Sequence, residues 1–170
     1  MKTAQYWIEK LEMEKHPEGG YFKETYRSDQ TLKIEGLPAR FSGDRSASTC
    51  ILYLLEKDDF SSFHRIASDE IWHFYTGTSA LEVLELSFEG DLLSHKLGSN
   101  FENGEYFQAM VPAGAWFGAR LADQNENAYA LVGCTVAPGF DFEDFEMAKS
   151  AELMEIFPTQ KEIIEKMCRQ

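Results

Sequence analysis

The sequence is poor in the residues that mark extracellular, fibrous or disordered proteins. Among its 170 residues it has only 3 cysteines, Cys50, Cys134 and Cys168, and no two of them form a C-x-x-C pair. An odd number of widely spaced cysteines argues against a disulfide framework and suits a reducing compartment. With 5 prolines and 44% hydrophobic residues, the composition is that of a folded globular protein.

Basic residues and long apolar runs are also scarce. Lys and Arg number 16 against 29 Asp and Glu, and the net charge of -13 repels nucleic acid and anionic membrane surfaces. No run of about 20 consecutive apolar residues occurs, and residues 1–5 lack the charged and apolar regions of a signal peptide. We therefore predict a cytoplasmic protein that binds neither nucleic acid nor membranes.

Short strand-like segments joined by turns rich in Gly, Asn and Asp occupy most of the chain. Strands that recur at short, fairly even intervals are typical of a sandwich or barrel. The length is that of one ordinary domain, and no internal repeat is present. The predicted single mainly β domain, 1–170, has a helical N-terminus at 3–15, a barrel at about 20–142 and a helical C-terminus at 144–168.

Three segments outside the regular strands have local signals of their own. Thr3 can cap a helix over residues 4–15. Thr159 and Glu162 have the spacing of a capping box that opens a last helix. Residues 29–44 contain glycine and proline and predict a mobile loop or lid.

The segment 21–28 alternates in a way that suggests a strand with two polar faces. Strand geometry places Tyr21 and Arg27 on one face and Phe22 and Glu24 on the other. A strand with polar groups on both faces is expected to line a site or to lie at an interface.

The stretch 63–77 is the one around which we expect the chain to be organised. Two apolar arms flank a polar elbow at 67–69, and on the second arm Glu70, Trp72 and Phe74 share one side of the strand. The opposite side carries Ile71, His73 and Tyr75. A carboxyl group among large aromatic residues is costly unless it serves a site, and the first arm can present His64 beside it.

The spacing of His64, Glu70 and Gly77 resembles the first cupin motif, in which a His-x-His pair is followed by Glu and then Gly. Ile66 takes the place of the second histidine. The residues 112–114, Pro-Ala-Gly, match the core of the second cupin motif.

The last histidine of that second motif is replaced by Phe117. With Ile66 and Phe117 at these positions, two of the four usual metal ligands are absent. No cofactor is therefore predicted.

Three further stretches, 16–28, 111–116 and 132–142, extend the resemblance over about residues 7–145. Together they are similar to a branch of the cupin superfamily known mainly as proteins of unassigned function. The resemblance implies a double-stranded β-helix, or jelly roll, that is usually dimeric and related in shape to sugar-nucleotide epimerases. It does not imply a particular reaction.

A jelly roll holds its ligand in the mouth of the barrel, where inward side chains converge. His64 is the expected general base and Tyr21 the expected acid, while Arg27 would hold a developing anion. The predicted substrate-binding residues are Glu70, Arg27, Gln108, Trp72, Phe74 and Trp116. The alternative is structural, with a His-Glu pair joining two strands and the aromatic residues packed in the core.

The preferred hypothesis is a metal-independent cupin that binds a sugar, nucleotide sugar or small carboxylate and isomerises or epimerises it. A metal-dependent enzyme would need His73 or Gln108 to join His64 and Glu70 as ligands. A third hypothesis is a ligand-binding protein without chemistry. The resemblance adds a homodimer or higher homo-oligomer as partner.

Overall fold

The structure, a computed structural model, describes residues 2–169, so Met1 and Gln170 of the predicted domain lie outside the described residues. The helices are α1 (Ala4–Leu11), α2 (Ser150–Ile156) and α3 (Lys161–Met167). The strands are β1 (Glu14–Lys15), β2 (Tyr21–Arg27), β3 (Thr31–Leu32), β4 (Arg45–Ser46), β5 (Thr49–Glu56), β6 (Phe60–Arg65), β7 (Asp69–Gly77), β8 (Leu81–Leu86), β9 (Leu92–Leu97), β10 (Gln108–Val111), β11 (Trp116–Leu121), β12 (Tyr129–Ala137) and β13 (Glu146–Met147).

Two antiparallel sheets form the body of the molecule. The larger has the strand order β1-β2-β5-β12-β7-β10, and the smaller has the order β13-β6-β11-β8-β9. Strand β3, inside the segment 29–44 that was predicted to be a loop, forms a separate pair with β4, which directly follows that segment. The predicted mainly β class, with a helix before the sheets and helices after them, is confirmed.

The inward faces of the two sheets share one apolar core. Trp72 from the larger sheet meets Phe117 from the smaller sheet with ring centroids 6.3 Å apart, and it also packs on Tyr53 of its own sheet at 5.8 Å, with the planes of both pairs nearly perpendicular. Such edge-to-face contacts fill the space between the sheets and fix their separation. Phe117 therefore packs where the second cupin motif would supply a histidine.

The elbow at 67–69 carries the chain from one sheet to the other. Strand β6 belongs to the smaller sheet and β7 to the larger one, so the two arms of the 63–77 stretch face each other and do not pair as a hairpin. His64 and Glu70 consequently reach the space between the sheets from opposite sides.

The helices cover the outer faces of the sheets. Thr3 caps α1 as predicted, accepting a hydrogen bond from the Tyr6 amide at 3.2 Å, and Ile8 packs on Leu54 and Tyr129. Helices α2 and α3 pack on the outer face of the smaller sheet. No helix within residues 2–169 is long and apolar enough to cross a membrane.

Both predicted helix boundaries need correction. Helix α1 ends before Glu12, which has a left-handed backbone (φ 52°), and residues 14–15 pair as β1. Helix α3 has Gln160 as its N-cap, without a side-chain capping bond. A turn closed by the Gln160 amide on the Phe157 carbonyl at 3.0 Å places Thr159 before the helix, so the predicted capping box is not formed.

Candidate functional site

A cavity of about 200 Å³ lies between the sheets and opens beside β2. Its lining includes His64, Glu70 and Arg27, three of the residues predicted for the site. It also includes the carboxyl groups of Glu18, Glu24 and Asp141 and the rings of Phe22, Phe140, Phe142 and Phe145. A cavity of 150 Å³ holds benzene, so this one has room for a small organic molecule.

A β-bulge in β2 separates Tyr21 from Arg27. Glu24 pairs with Ile51 and Tyr26 with Cys50, so one extra residue is accommodated at Thr25. Because side chains alternate along a strand, the extra residue turns Arg27 to the cavity face that carries Phe22 and Glu24.

Tyr21 remains on the other face of β2. It packs with α1, and the Lys15 ammonium lies 3.8 Å from the centre of its ring. The predicted arrangement, with Tyr21 and Arg27 on one face beside His64, is therefore wrong.

At the base of the cavity, His64 meets a carboxyl group that was not among the predicted site residues. Nε2 of His64 lies 3.1 Å from Oε2 of Glu18, and Nδ1 of His16 lies 3.4 Å from the same oxygen. The hydroxyl of Ser61 donates to Oε1 of Glu18 at 2.9 Å. Glu18 and His64 are both buried.

Backbone partners fix which imidazole nitrogens carry protons. Nδ1 of His64 lies 2.8 Å from the Ser62 carbonyl, which can only accept, so this nitrogen is protonated. Nδ1 of His16 accepts from the Glu18 amide at 3.3 Å. In the neutral imidazoles both nitrogens that face Oε2 of Glu18 are therefore acceptors.

A proton on Oε2 of Glu18 supplies the donor that Nε2 of His64 lacks, while Nδ1 of His16 already accepts from the Glu18 amide. Burial raises the pKa of Glu18 and lowers that of His64 to about 4, and burial likewise lowers the pKa of His16. Each shift favours the uncharged form. We conclude that Glu18 is a neutral acid that donates to Nε2 of His64 near neutral pH.

Glu70 faces the cavity from the opposite sheet. It is 8% exposed, and burial is the main reason that its pKa is raised to about 8. The Cys134 thiol interacts with this carboxyl group and lowers its pKa, but by less than burial raises it. At neutral pH Glu70 is therefore mostly protonated and can donate to a ligand.

The turn that presents Glu18 is held by many hydrogen bonds. Gly19 and Gly20 have positive φ angles of 118° and 72°, a conformation that other residues rarely adopt. The Tyr53 hydroxyl donates to the Gly19 carbonyl at 2.7 Å, and Arg169 donates to the Glu18 carbonyl at 3.2 Å. The sequence Pro-Glu-Gly-Gly was the available signal for this turn, but it gave no sign of where the carboxyl group points.

A model of the family described as "Cupin superfamily (DUF985)" matches residues 5–148. The chain belongs to this family. It is also 36% identical over 158 residues to the uncharacterized protein YML079W of Saccharomyces cerevisiae, a match that covers 88% of this chain and 77% of that protein.

Solved structures support the same assignment. A hypothetical protein from Leishmania major is 34% identical with a TM-score of 0.87, and the match covers 99% of this chain and all of that one. A protein from Shewanella oneidensis is 35% identical with a TM-score of 0.87 and 99% coverage of both chains. Oxalate decarboxylase from Bacillus subtilis is 13% identical with a TM-score of 0.53 over 90% of this chain and 36% of that one, which shows the shared cupin fold alone.

In this cupin, the other predicted binding residues do not line the cavity. Trp72 is buried in the core, and Phe74 packs against the same core. Trp116 lies in the second core under α2 and α3, with the Arg65 guanidinium 4.5 Å from its ring. Gln108 is exposed on the outer face of the larger sheet.

The residues present do not fit the metal site of the metal-dependent alternative. His73 lies on the outer face, where Nε2 is 3.0 Å from the Thr135 hydroxyl and Nδ1 is 2.9 Å from the Gln108 amide. Neither His73 nor Gln108 can therefore join His64 and Glu70. Within residues 2–169 no group of three or more His, Cys, Asp or Glu side chains is arranged to hold a metal ion.

At the mouth, Arg27 is already paired. Its guanidinium donates to both carboxylate oxygens of Glu24, at 3.0 Å and 2.7 Å, and to the Phe140 carbonyl at 3.1 Å. A bidentate pair of this kind leaves little of the guanidinium for a ligand anion.

A buried ion pair holds the aromatic side of the mouth. Arg45 donates twice to the carboxylate of Asp144, both at 2.6 Å, and this pair fixes the segment that carries Phe142 and Phe145. Removing one partner of such a pair leaves a buried charge uncompensated. Arg45 therefore positions the cavity wall without contacting the cavity.

We expect Glu70→Gln to stabilise the protein at alkaline pH. The unfolded chain ionises Glu70 above its ordinary pKa of 4.5, whereas the folded chain keeps the proton up to about pH 8, so wild-type stability falls as pH rises through this window. Glutamine does not titrate, so the variant should gain about 2 kcal/mol at pH 8.5 and little at pH 5. Urea unfolding at both pH values measures this.

The control is Glu85→Gln, which alters a buried carboxyl group paired with His95 at 2.9 Å outside the cavity. A Glu70→Gln variant that is less stable than wild type at pH 8.5 would contradict the protonated state of Glu70.

Proposed function

We propose that this cupin binds a small polar organic molecule in the cavity and that Glu18 and His64 transfer a proton on it, as in the isomerisation or epimerisation of a sugar. The observation that carries the proposal is the Glu18–His64 pair, 3.1 Å apart, in the lining of a cavity of about 200 Å³. A buried acid next to a neutral base in a cavity lining is an arrangement used for general acid–base catalysis.

The roles differ from those expected from the sequence. Because Nε2 of His64 is directed at Glu18, the histidine takes a proton from a ligand only through or together with that carboxyl group. Glu70 reaches the cavity from the other sheet and contacts a polar group of the ligand. Arg27 orders the mouth through Glu24 and Phe140.

The charges of the cavity favour some of the considered ligands over others. Of the four carboxyl groups that line it, Glu18 and Glu70 are kept protonated by burial, and Glu24 is paired with Arg27, the one arginine in the lining among the described residues. A nucleotide sugar or a small carboxylate would bring negative charge into this buried site without finding a free cation. We therefore favour a ligand of sugar size without phosphate or carboxylate groups.

The test is deuterium incorporation in D₂O, followed by proton NMR, with glucose, glucosamine and glucuronate and their keto isomers. Abstraction of a proton next to a carbonyl replaces it with deuterium even when no net conversion occurs. We expect exchange in at least one compound without a carboxylate, and a loss of roughly a hundredfold or more in Glu18→Gln and His64→Gln.

The matched controls are Glu85→Gln and His95→Gln, which alter a hydrogen-bonded Glu-His pair outside the cavity. Exchange that persists in Glu18→Gln and His64→Gln would contradict the catalytic roles. Binding of a compound without any exchange would instead support a ligand-binding protein without chemistry.

We also propose that this cupin forms a homodimer through the outer face of the larger sheet. One row across this face joins Tyr26, Cys50, Thr135, Ile71 and Met110 in register. Tyr26, Ile71 and Met110 are exposed, as is Tyr75 on the same face of β7. An exposed apolar sheet face of this kind is typical of a self-complementary interface.

Ile71→Glu is expected to convert the dimer to a monomer, because it buries an unpaired charge at the centre of that face. Light scattering coupled to size exclusion should give twice the 19.4 kDa chain mass for wild type and a single chain mass for the variant. Phe88→Glu, at an exposed residue in the turn between β8 and β9, is the control that should remain dimeric. A monomeric wild type would contradict the proposal.

The three cysteines are free thiols in the structure. Because free thiols persist in a reducing compartment, we propose a cytoplasmic location.

A further inference from the structure

Three phenylalanine rings form one wall of the cavity at steep mutual angles. The ring centroids of Phe140, Phe142 and Phe145 lie 5.0 to 6.2 Å apart, with interplanar angles of 72° to 81°. His16 stacks on Phe142 with a centroid distance of 6.2 Å. The three rings contact one another edge to face and line the cavity, and the faces of aromatic rings attract the positive charge of alkylated ammonium groups.

In the lining of the same cavity, carboxyl groups outnumber the basic side chains. Arg27 is its one Lys or Arg side chain among the described residues, and both of its terminal donors are committed to Glu24 and to the Phe140 carbonyl. Glu70 is more than nine-tenths buried and faces the cavity, and the Cys134 thiol interacts with its carboxyl group. Burial of a carboxyl group in this way is costly unless a ligand compensates for it.

We propose that the ligand of this cavity is an organic cation, a substituted ammonium compound whose charge is held between the phenylalanine wall and the carboxyl group of Glu70. The proposal rests on the proposed function, because it names the class of molecule that the cavity binds. The protein's net charge of -13 would also draw a cation towards the cavity.

Binding of a cation should be linked to the ionisation of Glu70. The titratable groups that line the cavity with this carboxyl are His16 and Glu18 before β2, Glu24 and Arg27 on β2, Tyr53 on β5, His64 on β6, Cys134 on β12 and Asp141 after β12. Glu18 is held neutral against His64, and Arg27 is paired with Glu24. Glu70 is therefore the group expected to release a proton when a cation binds, since an opposite charge nearby lowers its pKa from about 8.

The affinity for a cation should consequently rise with pH. Below pH 8 Glu70 is protonated in the free protein, so binding must expel its proton, and the affinity increases by up to about tenfold per pH unit between pH 6 and 8. Above pH 8 the carboxylate is already ionised, and the affinity should level off. A neutral ligand would not show this dependence.

The test compares choline with 3,3-dimethylbutan-1-ol, in which a carbon atom replaces the charged nitrogen, by isothermal titration calorimetry at pH 6, 7 and 8. We expect choline to bind at least about tenfold more tightly than its neutral isostere at pH 8, with proton release shown by buffers of different ionisation enthalpy. Glu70→Gln should remove most of the preference and the pH dependence. Glu85→Gln should retain both.

The outcomes separate this inference from the proposed function. Binding of glucose or glucuronate without binding of choline and glucosamine would overturn the inference of a cationic ligand. Binding of the isostere as tightly as choline would overturn it too, and in both cases the cavity would still be a ligand site. If none of these compounds binds, both the cation and the proposed function are contradicted. Choline binding that is unchanged in Glu70→Gln would also overturn the inference.

Discussion

Burial of the Glu18 carboxyl group between two imidazoles is the interaction on which the arrangement of the cavity depends. One oxygen of this carboxyl group lies 3.1 Å from His64 and 3.4 Å from His16, and within residues 2–169 no Lys or Arg side chain forms an ion pair with it. Because the backbone sets the imidazole protons, the carboxyl group must supply the hydrogen between itself and His64. This single proton therefore allows Glu18 and the two histidines to be buried among aromatic side chains at a modest cost in free energy.

The rest of the fold brings this cluster to a ligand. The elbow at 67–69 passes from one sheet to the other, so His64 and Glu70 approach the cavity from opposite walls. The Gly19–Gly20 turn holds the Glu18 carboxyl group at the base of the cavity, between these walls. The Arg45–Asp144 pair then fixes the aromatic segment that closes the mouth. The site is thus assembled from elements distant in the sequence, each held by contacts that lie outside the cavity.

Because the site is assembled from distant elements, only some of its features could be predicted from the sequence. The twofold alternation of a strand correctly placed Glu70, Trp72 and Phe74 on the inner side of β7, although Trp72 and Phe74 serve packing. The bulge near Thr25 is one extra residue opposite Cys50 and depends on the partner strand, so alternation alone misplaced Tyr21 relative to Arg27. Glu18 was missed because a turn has no periodicity that would reveal the direction of its side chain.

The most direct test of this account is the protonation of the His64 ring, observed by ¹⁵N NMR of labelled protein between pH 4 and 8. The account predicts a neutral ring at pH 7 with the proton on Nδ1 and an unprotonated Nε2, and ionisation only as the pH approaches about 4. The same spectra should show His16 neutral at pH 7 with its proton on Nε2. A doubly protonated His64 at pH 7 would mean that Glu18 is ionised, and it would contradict the neutral acid–base pair on which the proposed chemistry rests.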